Sequence, residues 1–412
     1  MNRLKYFIVL LAGIFIISCQ KETETALFAV PVVKKLSEIR ASVGVKDAKQ
    51  TQSNGKIYVT EQYLFYIAQE QGVHIFNNQN PSTPINLSFL EISGVHDIAV
   101  KGNYLYADNY VDLLVFDISN IQNIQLVKTI ENTFDFYPRF PEDAEYYDWE
   151  VQLNEGEIIV KYDVERRSKP DNQYIYSMEG ALTDMAASNL GNSIGIGGSY
   201  AQFQINNNAL YKVDHYKLNV YNISSPLQTY FDKSVYMNTW FSGEFETLFK
   251  QKEFLFIGST TGMYVVNALD EFNPTFISGF SHATACDPVV VYGNTAYITV
   301  RGGNSCGAIK DQINVIDITN IQNPTLVSTY LINQPYGLGV RNTTMYVCTG
   351  TQGLKIFDAS NNNNLILKNT YFSNVTDVIP LSSHLILVGP NKVVQMNYGP
   401  DYTLTPISEI NF

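Results

Sequence analysis

Basic residues are scarce, with 27 Lys and Arg against 39 Asp and Glu and a formal net charge of -12. The summed field of such a chain repels phosphate backbones and anionic lipid, which removes nucleic acid from the classes of partner. Charge of either sign is sparse at 16% of residues, while 45% are hydrophobic. That leaves ample apolar surface for a large core and excludes disorder by composition. Tryptophan is almost missing, at 2 residues, yet 28 Tyr and 23 Phe are present. Such side chains favour pleated, half-buried surfaces and point to an all-β chain. Histidine is limited to His74, His96, His215, His282 and His384. No His-x-x-x-His or Cys-x-x-Cys spacing occurs, so no zinc site is signalled. Gly191, Gly195, Gly197 and Gly198 lack the G-x-G-x-x-G and Walker patterns. They read as a tight approach to a strand rather than a phosphate cradle.

What is present starts at the N-terminus. Arg3 and Lys5 precede an apolar stretch, Tyr6 to Ile17, that is too short to span a bilayer comfortably and reads as a signal peptide. It ends in Ile16-Ile17-Ser18-Cys19. This resembles the bacterial lipobox, in which a small residue precedes a cysteine that becomes acylated. The expected organisation is therefore a signal peptide over 1–18, a lipidated tether over 19–33 starting at Cys19, and one domain over 34–412. Gln20-Lys21-Glu22-Thr23-Glu24 resembles the export signal that sends Bacteroidota lipoproteins to the outer face of the outer membrane. Outer-membrane lipid is thus an expected partner, with the protein facing the cell exterior.

Past residue 34 one pattern recurs: an apolar strand, a turn with Gly or Asn, an aromatic strand, a second turn, an aliphatic strand closing on Asp or Asn, and a fourth strand. The clearest copy holds His96-Asp97-Ile98-Ala99-Val100, Tyr104-Leu105-Tyr106 and Leu113-Leu114-Val115-Phe116-Asp117. The closing residues Asn77, Asp117, Asn222, Asn267, Asp317, Asp358 and Asn397 recur about every forty residues, with a single gap of about 105 between Asp117 and Asn222. Four short strands at that period describe a β-propeller blade, and a leucine-rich solenoid would repeat faster. We expect seven four-stranded blades, with eight as the alternative. A short helix over Lys34 to Val43, with Leu36, Ile39 and Val43 at helical spacing, should cap the propeller. The long gap holds an insertion over about 131–195, expected to form a hairpin from Trp149–Leu153 and Glu157–Tyr162. The closing Asp and Asn residues start turns by bonding backbone two residues on, and so belong to the scaffold.

Leu113-Leu114-Val115-Phe116-Asp117-Ile118-Ser119 and Asn314-Val315-Ile316-Asp317-Ile318-Thr319-Asn320 resemble the LVIVD repeat of bacterial propeller proteins. Longer stretches, among them Gly55-Lys56-Ile57-Tyr58-Val59 and Cys286-Asp287-Pro288-Val289-Val290, are similar to LVIVD-repeat lipoproteins of Bacteroidota. The resemblance implies fold and location, and that group brings no assigned activity with it.

In a propeller the start of each inner strand shares one face with the loops between second and third strands, and function usually sits on such loops. Aligning the repeats places Lys56, Asp97, Gln202, Thr247, Asp287, Gly337 and Asp377 at equivalent points of that rim. Asp97, Asp287 and Asp377 are expected to cap inner-strand amides, with a structural divalent cation as the alternative. His96 and His282 stand beside them and complete a candidate ligand or cation rim. Cys286 and Cys306 fall on one face of one blade and are expected to pair as a disulfide, with Cys348 as a competitor. The insertion gathers Phe134, Phe136, Tyr137, Phe140, Tyr146, Tyr147 and Trp149, able to pack on the rim or stack a sugar. No catalytic residue, metal ligand or cofactor is assigned. The preferred reading is a noncatalytic binding or scaffolding module for a protein or glycan. The rival is an extracytoplasmic hydrolase or lyase using His96, His282, Asp97 and Asp287.

Overall fold

The computed structural model describes residues 24–50, 55–169, 196–237, 243–281, 288–302 and 310–412. Seven four-stranded antiparallel meanders succeed one another, with inner strands Gly55–Val59, Ile98–Lys101, Phe203–Asn206, Phe245–Gln251, Val289–Tyr292, Leu338–Arg341 and Asp377–Pro380. We number blades 1 to 7 in that order. The expected architecture of seven blades holds, and the eight-blade alternative does not.

The strands are apolar on both faces because each blade is covered on both sides. Buried clusters join blades 1, 2 and 3, then 3 and 4, 4 and 5, 5 and 6, 6 and 7, and finally 7 and 1. The unbroken sequence of clusters is the packing of a closed ring. Hydroxyls on the second strands add fixed points between neighbours. Tyr211 Oη of blade 3 donates to the Glu271 carbonyl of blade 4 at 2.7 Å, and Tyr297 Oη of blade 5 meets Asn362 Oδ1 of blade 6 at 3.3 Å.

Every blade carries a bulge at the same place, where its fourth strand gains one residue over the third. A bulge bends the strand and raises its twist, which suits an outer edge that must splay away from the axis. The closing Asp and Asn residues start turns, as expected: Asp117 and Asp317 accept the amides of Ser119 and Thr319 at 2.8 and 2.7 Å. The Ser119 and Thr319 hydroxyls, with those amides, hold both carboxyls below the usual carboxylate range.

The four-stranded meanders of blades 1 and 7 each come from one end of the chain, with Ile196–Gly197 and Gly44–Lys46 added at the two edges of blade 1's sheet, so no strand is exchanged between blades 1 and 7. Side chains close it instead. Phe412 stacks on Tyr66 with centroids 3.7 Å apart, and Asn78 and Gln395 exchange amide hydrogen bonds of 3.1 and 2.8 Å. His384 Nε2 also meets Gln395 Oε1, at 2.8 Å.

The insertion departs from expectation. Glu157–Ser168 pairs antiparallel with Thr25–Lys35 rather than with Trp149–Leu153, which is not a strand, and Tyr146–Tyr147 adds parallel to the other edge. The apolar run Ala26 to Val33 explains this. Read as part of a tether, it buries Ala26, Phe28 and Ala29 and takes the partner that a hairpin would have used. The helix is Leu36–Ser42, with Ile39 buried against Tyr110 and Val160. Arg40 clamps Asp112 through two bonds of 2.7 and 2.9 Å and so seats the helix on the loop between the second and third strands of blade 2. No helix among the described residues is long and apolar enough to cross a membrane.

Replacing Gln395 by Met removes the junction of the 7–1 seam and leaves the buried Asn78 amide without its partner. A loss of about 2–4 kcal/mol in unfolding free energy is expected from urea titration; an unchanged midpoint would mean that the aromatic stack alone closes the ring.

Candidate functional site

The central channel holds part of the chain itself. Ile196 and Gly197 pair with Val59 and Tyr58 at the far end of blade 1's inner strand. Two residues later Ser199 donates from both its amide and its hydroxyl, each at 2.9 Å, to Asp377 Oδ1 at the start of blade 7's inner strand. Ser199 Oγ in turn accepts the amide of Leu338 in blade 6 at 3.0 Å. The Ala201 carbonyl takes the Leu248 amide of blade 4 at 2.7 Å, and the Gln202 amide donates to Asp97 of blade 2 at 2.8 Å. Residues 196–202 therefore climb the channel, touch one blade after another, and feed directly into blade 3.

Glycine is required at the tightest contacts. A Cβ on Gly198 would lie 1.4 Å from Asp377 Oδ2, and one on Gly337 would lie 2.2 Å from Asp377 Oδ1 and 2.7 Å from Ser199 Oγ. Gly198 thus serves a close approach to Asp377 on the way into blade 3's inner strand. Gly191 and Gly195 lie outside the described residues.

The rim alignment is informative about position. Lys56, Asp97 and Asp377, from blades 1, 2 and 7, lie close enough for the Lys56 charge to act on both carboxylates. Asp97 Oδ1 accepts its neighbour Ile98's amide at 2.9 Å, while Oδ2 takes the Gln202 and Phe203 amides at 2.8 and 3.0 Å. Asp377 Oδ1 adds the Val378 amide at 2.9 Å to its two Ser199 bonds. Burial pushes the Asp97 carboxyl above the ordinary range and lifts Asp377 to about 6, with the amide bonds opposing both shifts. Burial also drives the Lys56 ammonium below its usual value, against the pull of Asp97, Asp108 and Asp377.

His96 lies beside this group. Its backbone amide and that of Asp97 both donate to Asp108 Oδ1, at 2.7 and 2.9 Å, and its Nδ1 is 3.7 Å from Asp108 Oδ2. Burial lowers its pKa, against the pull of Asp108. The rim candidates His282 and Asp287, the cysteines Cys286 and Cys306, and the acylation candidate Cys19 lie outside the described residues. Cys348 is a buried free thiol. Among the described residues no group of three or more His, Cys, Asp or Glu side chains is arranged to hold a metal ion.

Sequence reasoning missed Ser199 and the path of its segment. The small-residue run Gly197-Gly198-Ser199 was the available signal, since only such residues fit between facing backbones. It also missed His215, whose Nδ1 lies 2.5 Å from Glu244 Oε1 across blades 3 and 4 and is raised above its usual value by that contact.

The insertion's aromatics divide in two. Phe134 is buried against Phe203 and Tyr221, and Phe136 packs on Tyr110. Phe140, Tyr147, Trp149 and Tyr162 form a ridge on the N-terminal sheet, with Tyr147 and Trp149 centroids 4.5 Å apart and Trp149 66% exposed.

The LVIVD repeat matches residues 94–131, 284–332 and 344–373. The chain carries LVIVD repeats. Its matched segments take in strands of blades 2, 5 and 6, and the motif itself, as Leu113 to Asp117, is the third strand of blade 2. No curated protein matches this chain. Solved structures similar to it include a protein from Lactobacillus plantarum (TM-score 0.54, 10% identity, 87% of this chain and 96% of that one). A periplasmic gluconolactonase from Pseudomonas aeruginosa (0.54, 8%, 88% and 96%) and a putative 6-phosphogluconolactonase from Bacteroides uniformis (0.53, 9%, 88% and 100%) are similar to the same degree. At such identities the likeness is one of fold alone.

Two outcomes are expected from the channel. Gly198→Ala should destabilise the fold by about 2–4 kcal/mol, because backbone or Asp377 must move; thermal unfolding equal to wild type would refute the tight fit. The second concerns pH. A folded pKa of about 6 against an ordinary 3.8 means that the native state binds the proton more tightly. Ionised Asp377 therefore costs stability above pH 6, and that cost is relieved as pH falls from 6 towards 4. Relative to Asp377→Asn, wild type should gain about 1–3 kcal/mol between pH 7.5 and pH 4.5 in urea titrations. Parallel pH profiles for the two proteins would contradict this assignment.

Proposed function

We propose that this LVIVD repeat propeller is a noncatalytic binding module, held by lipid at Cys19 on the outer membrane and facing the cell exterior, which recognises a protein or glycan. The observation that carries the reading is the use made of the rim carboxylates. Asp97 takes the Gln202 and Phe203 amides on Oδ2 and Asp377 takes the Ser199 amide and hydroxyl on Oδ1, so proton transfer by either group would compete with the contacts that seat the channel segment. Support for recognition comes from the aromatic ridge, whose rings are held by one another and offer Trp149 to solvent at small entropic cost.

The anchor fits this arrangement. Five residues separate Cys19 from the strand starting at Thr25, a reach of roughly 20 Å at full extension. Acylation at Cys19 would keep the N-terminal sheet close to the bilayer and leave the propeller little freedom to turn over.

Cells expressing the full chain provide the test. Wild type should incorporate labelled palmitate, sediment with outer membranes and be digested by protease added to intact cells, whereas Cys19→Ser should do none of these. On a glycan array and in crosslinking at the cell surface, Trp149→Ala should lose about tenfold in retained ligand. Ligand retention equal to wild type in Trp149→Ala would overturn the recognition surface, and an unlabelled wild type would overturn the anchor.

A further inference from the structure

One side chain of the fourth strand ties blades 3 to 7 each to the blade that follows. It stands opposite the residue two before the closing Asp or Asn, and it reaches the turn between the next blade's third and fourth strands. Ser278 of blade 4, Ser328 of blade 5 and Ser408 of blade 7 donate to the carbonyls of Ile321, Asn362 and Pro81 at 2.5, 2.7 and 2.6 Å. Lys233 of blade 3 donates to Asn273 Oδ1 at 2.8 Å, and Asn369 of blade 6 to the Tyr402 carbonyl at 3.1 Å. Every acceptor in this series is the oxygen of an amide.

The seam between blades 1 and 2 breaks the series. Ser88 holds the same register, opposite Ile75, and Ile121 of blade 2 stands where Ile321 does in blade 5. Yet Ser88 is 7% exposed and its hydroxyl has no hydrogen-bond partner among the described residues. A cavity of about 380 Å³ lies there instead. Blade 1 lines it with Leu87 and Ser88, blade 2 with Ile121 and Gln122, and the added outer strand of blade 1 with Val45, Lys46 and the following Asp47. Val45 pairs with Leu90, which packs towards blade 2, and Ser88, two residues before Leu90, shares that face.

This seam keeps the donor of a repeated bond without its acceptor. A buried hydroxyl left unpaired is costly, and the other seams show which group satisfies a side chain in this register. The lining narrows the rest. Val45, Leu87 and Ile121 offer apolar contact, and the exposed Asp47 carboxylate can accept from an N–H. An acetamido group carries the carbonyl, the methyl and the N–H together. Lys46 is engaged by Glu91 at 3.3 Å, so the Asp47 charge is left to repel an anion. An extended peptide would need an open strand edge, and Gly44–Lys46 already occupies that edge from Phe89 to Glu91. A compact ligand fits better, since cavities of roughly 300–1,000 Å³ hold small molecules.

We propose that the seam between blades 1 and 2 binds a neutral N-acetylated amino sugar, whose acetamido oxygen accepts the Ser88 hydroxyl in place of the missing turn carbonyl. Its methyl packs among Val45, Leu87 and Ile121, and its N–H donates to Asp47. This rests on the reading of the protein as a recognition module and names the ligand class for a site separate from the Trp149 ridge.

Saturation-transfer NMR on the full chain, in a detergent without a sugar headgroup, tests it. The probes are the methyl glycosides of N-acetylglucosamine and N-acetylgalactosamine, with methyl glucoside, glucosamine and N-acetylglycine methylamide for comparison. At least one acetamido sugar should bind more tightly than all three comparison probes, with its acetyl methyl the most strongly saturated group. Ser88→Ala should weaken that binding about fivefold. Because no bond within the fold is lost, its unfolding midpoint should stay at or above that of wild type, whereas Ser328→Ala should lower it. The proposal is overturned if neither acetamido sugar binds, if methyl glucoside or the peptide amide binds as tightly, or if Ser88→Ala binds as wild type does. A midpoint lowered as much in Ser88→Ala as in Ser328→Ala would also overturn it, by revealing a partner for Ser88 within the fold. One result separates it from the broader reading: a surface ligand lost in Trp149→Ala but kept in Ser88→Ala would sink the seam site and leave recognition at the ridge standing.

Discussion

The structure depends on one constraint, that a blade buries neither of its faces alone. Leu113 to Phe116 and their counterparts are apolar on both sides of the sheet, and each side is buried only because another blade lies against it. Hydrophobic area is therefore gained in full only when the last blade meets the first. No strand crosses that seam, so the final contact is left to side chains: the apolar cluster of Ile57 and Val59 with Ile379, Ile386 and Val388, the Phe412–Tyr66 stack and the Asn78–Gln395 amide pair. Polar exchange of that kind adds direction to a contact that apolar packing would leave free to slide.

A closed ring leaves a polar axis lined by the starts of seven inner strands. Here the chain fills it with its own backbone and meets the amides of that backbone with Asp97 and Asp377. Buried backbone donors need partners, and a carboxylate that receives several amides is an economical one. The cost falls on the carboxylates, whose burial raises their pKa values, and on Lys56, whose charge is the nearest compensation.

The seven-blade ring was legible because its signals are local and repeated. The Asp or Asn closing each third strand, the aromatic second strand and the turn residues recur at one period, and each has a short-range physical cause. The rim positions Lys56, Asp97 and Asp377 followed from that register. Their partners did not: Ser199 precedes the repeat of blade 3, and although Gln202 falls in the rim register, nothing local says that its amide reaches Asp97, about 100 residues earlier in the chain. The pairing of Glu157–Ser168 with Thr25–Lys35 was hidden for the same reason. Nothing short-range distinguishes a strand that pairs with its neighbour from one that pairs with the other end of an insertion. The apolar run Ala26 to Val33 was a visible objection to reading a solvated tether there, and its weight lies in burial rather than in any motif.

Threading the axis has a consequence for assembly. Residues 196–202 leave the ribosome after blades 1 and 2 and before blades 3 to 7, yet they end up bonded to blades 1, 2, 4, 6 and 7. Strand 196–197 lies along blade 1's inner edge, a row of backbone groups that would stay open until the ring closed. Blade 7 is made last, so the contact between Asp377 and Ser199 cannot form until the other blades have been synthesised. The chain thus builds its wheel around its own axle, and a late blade arriving before the axle is seated would find the hub either empty or blocked.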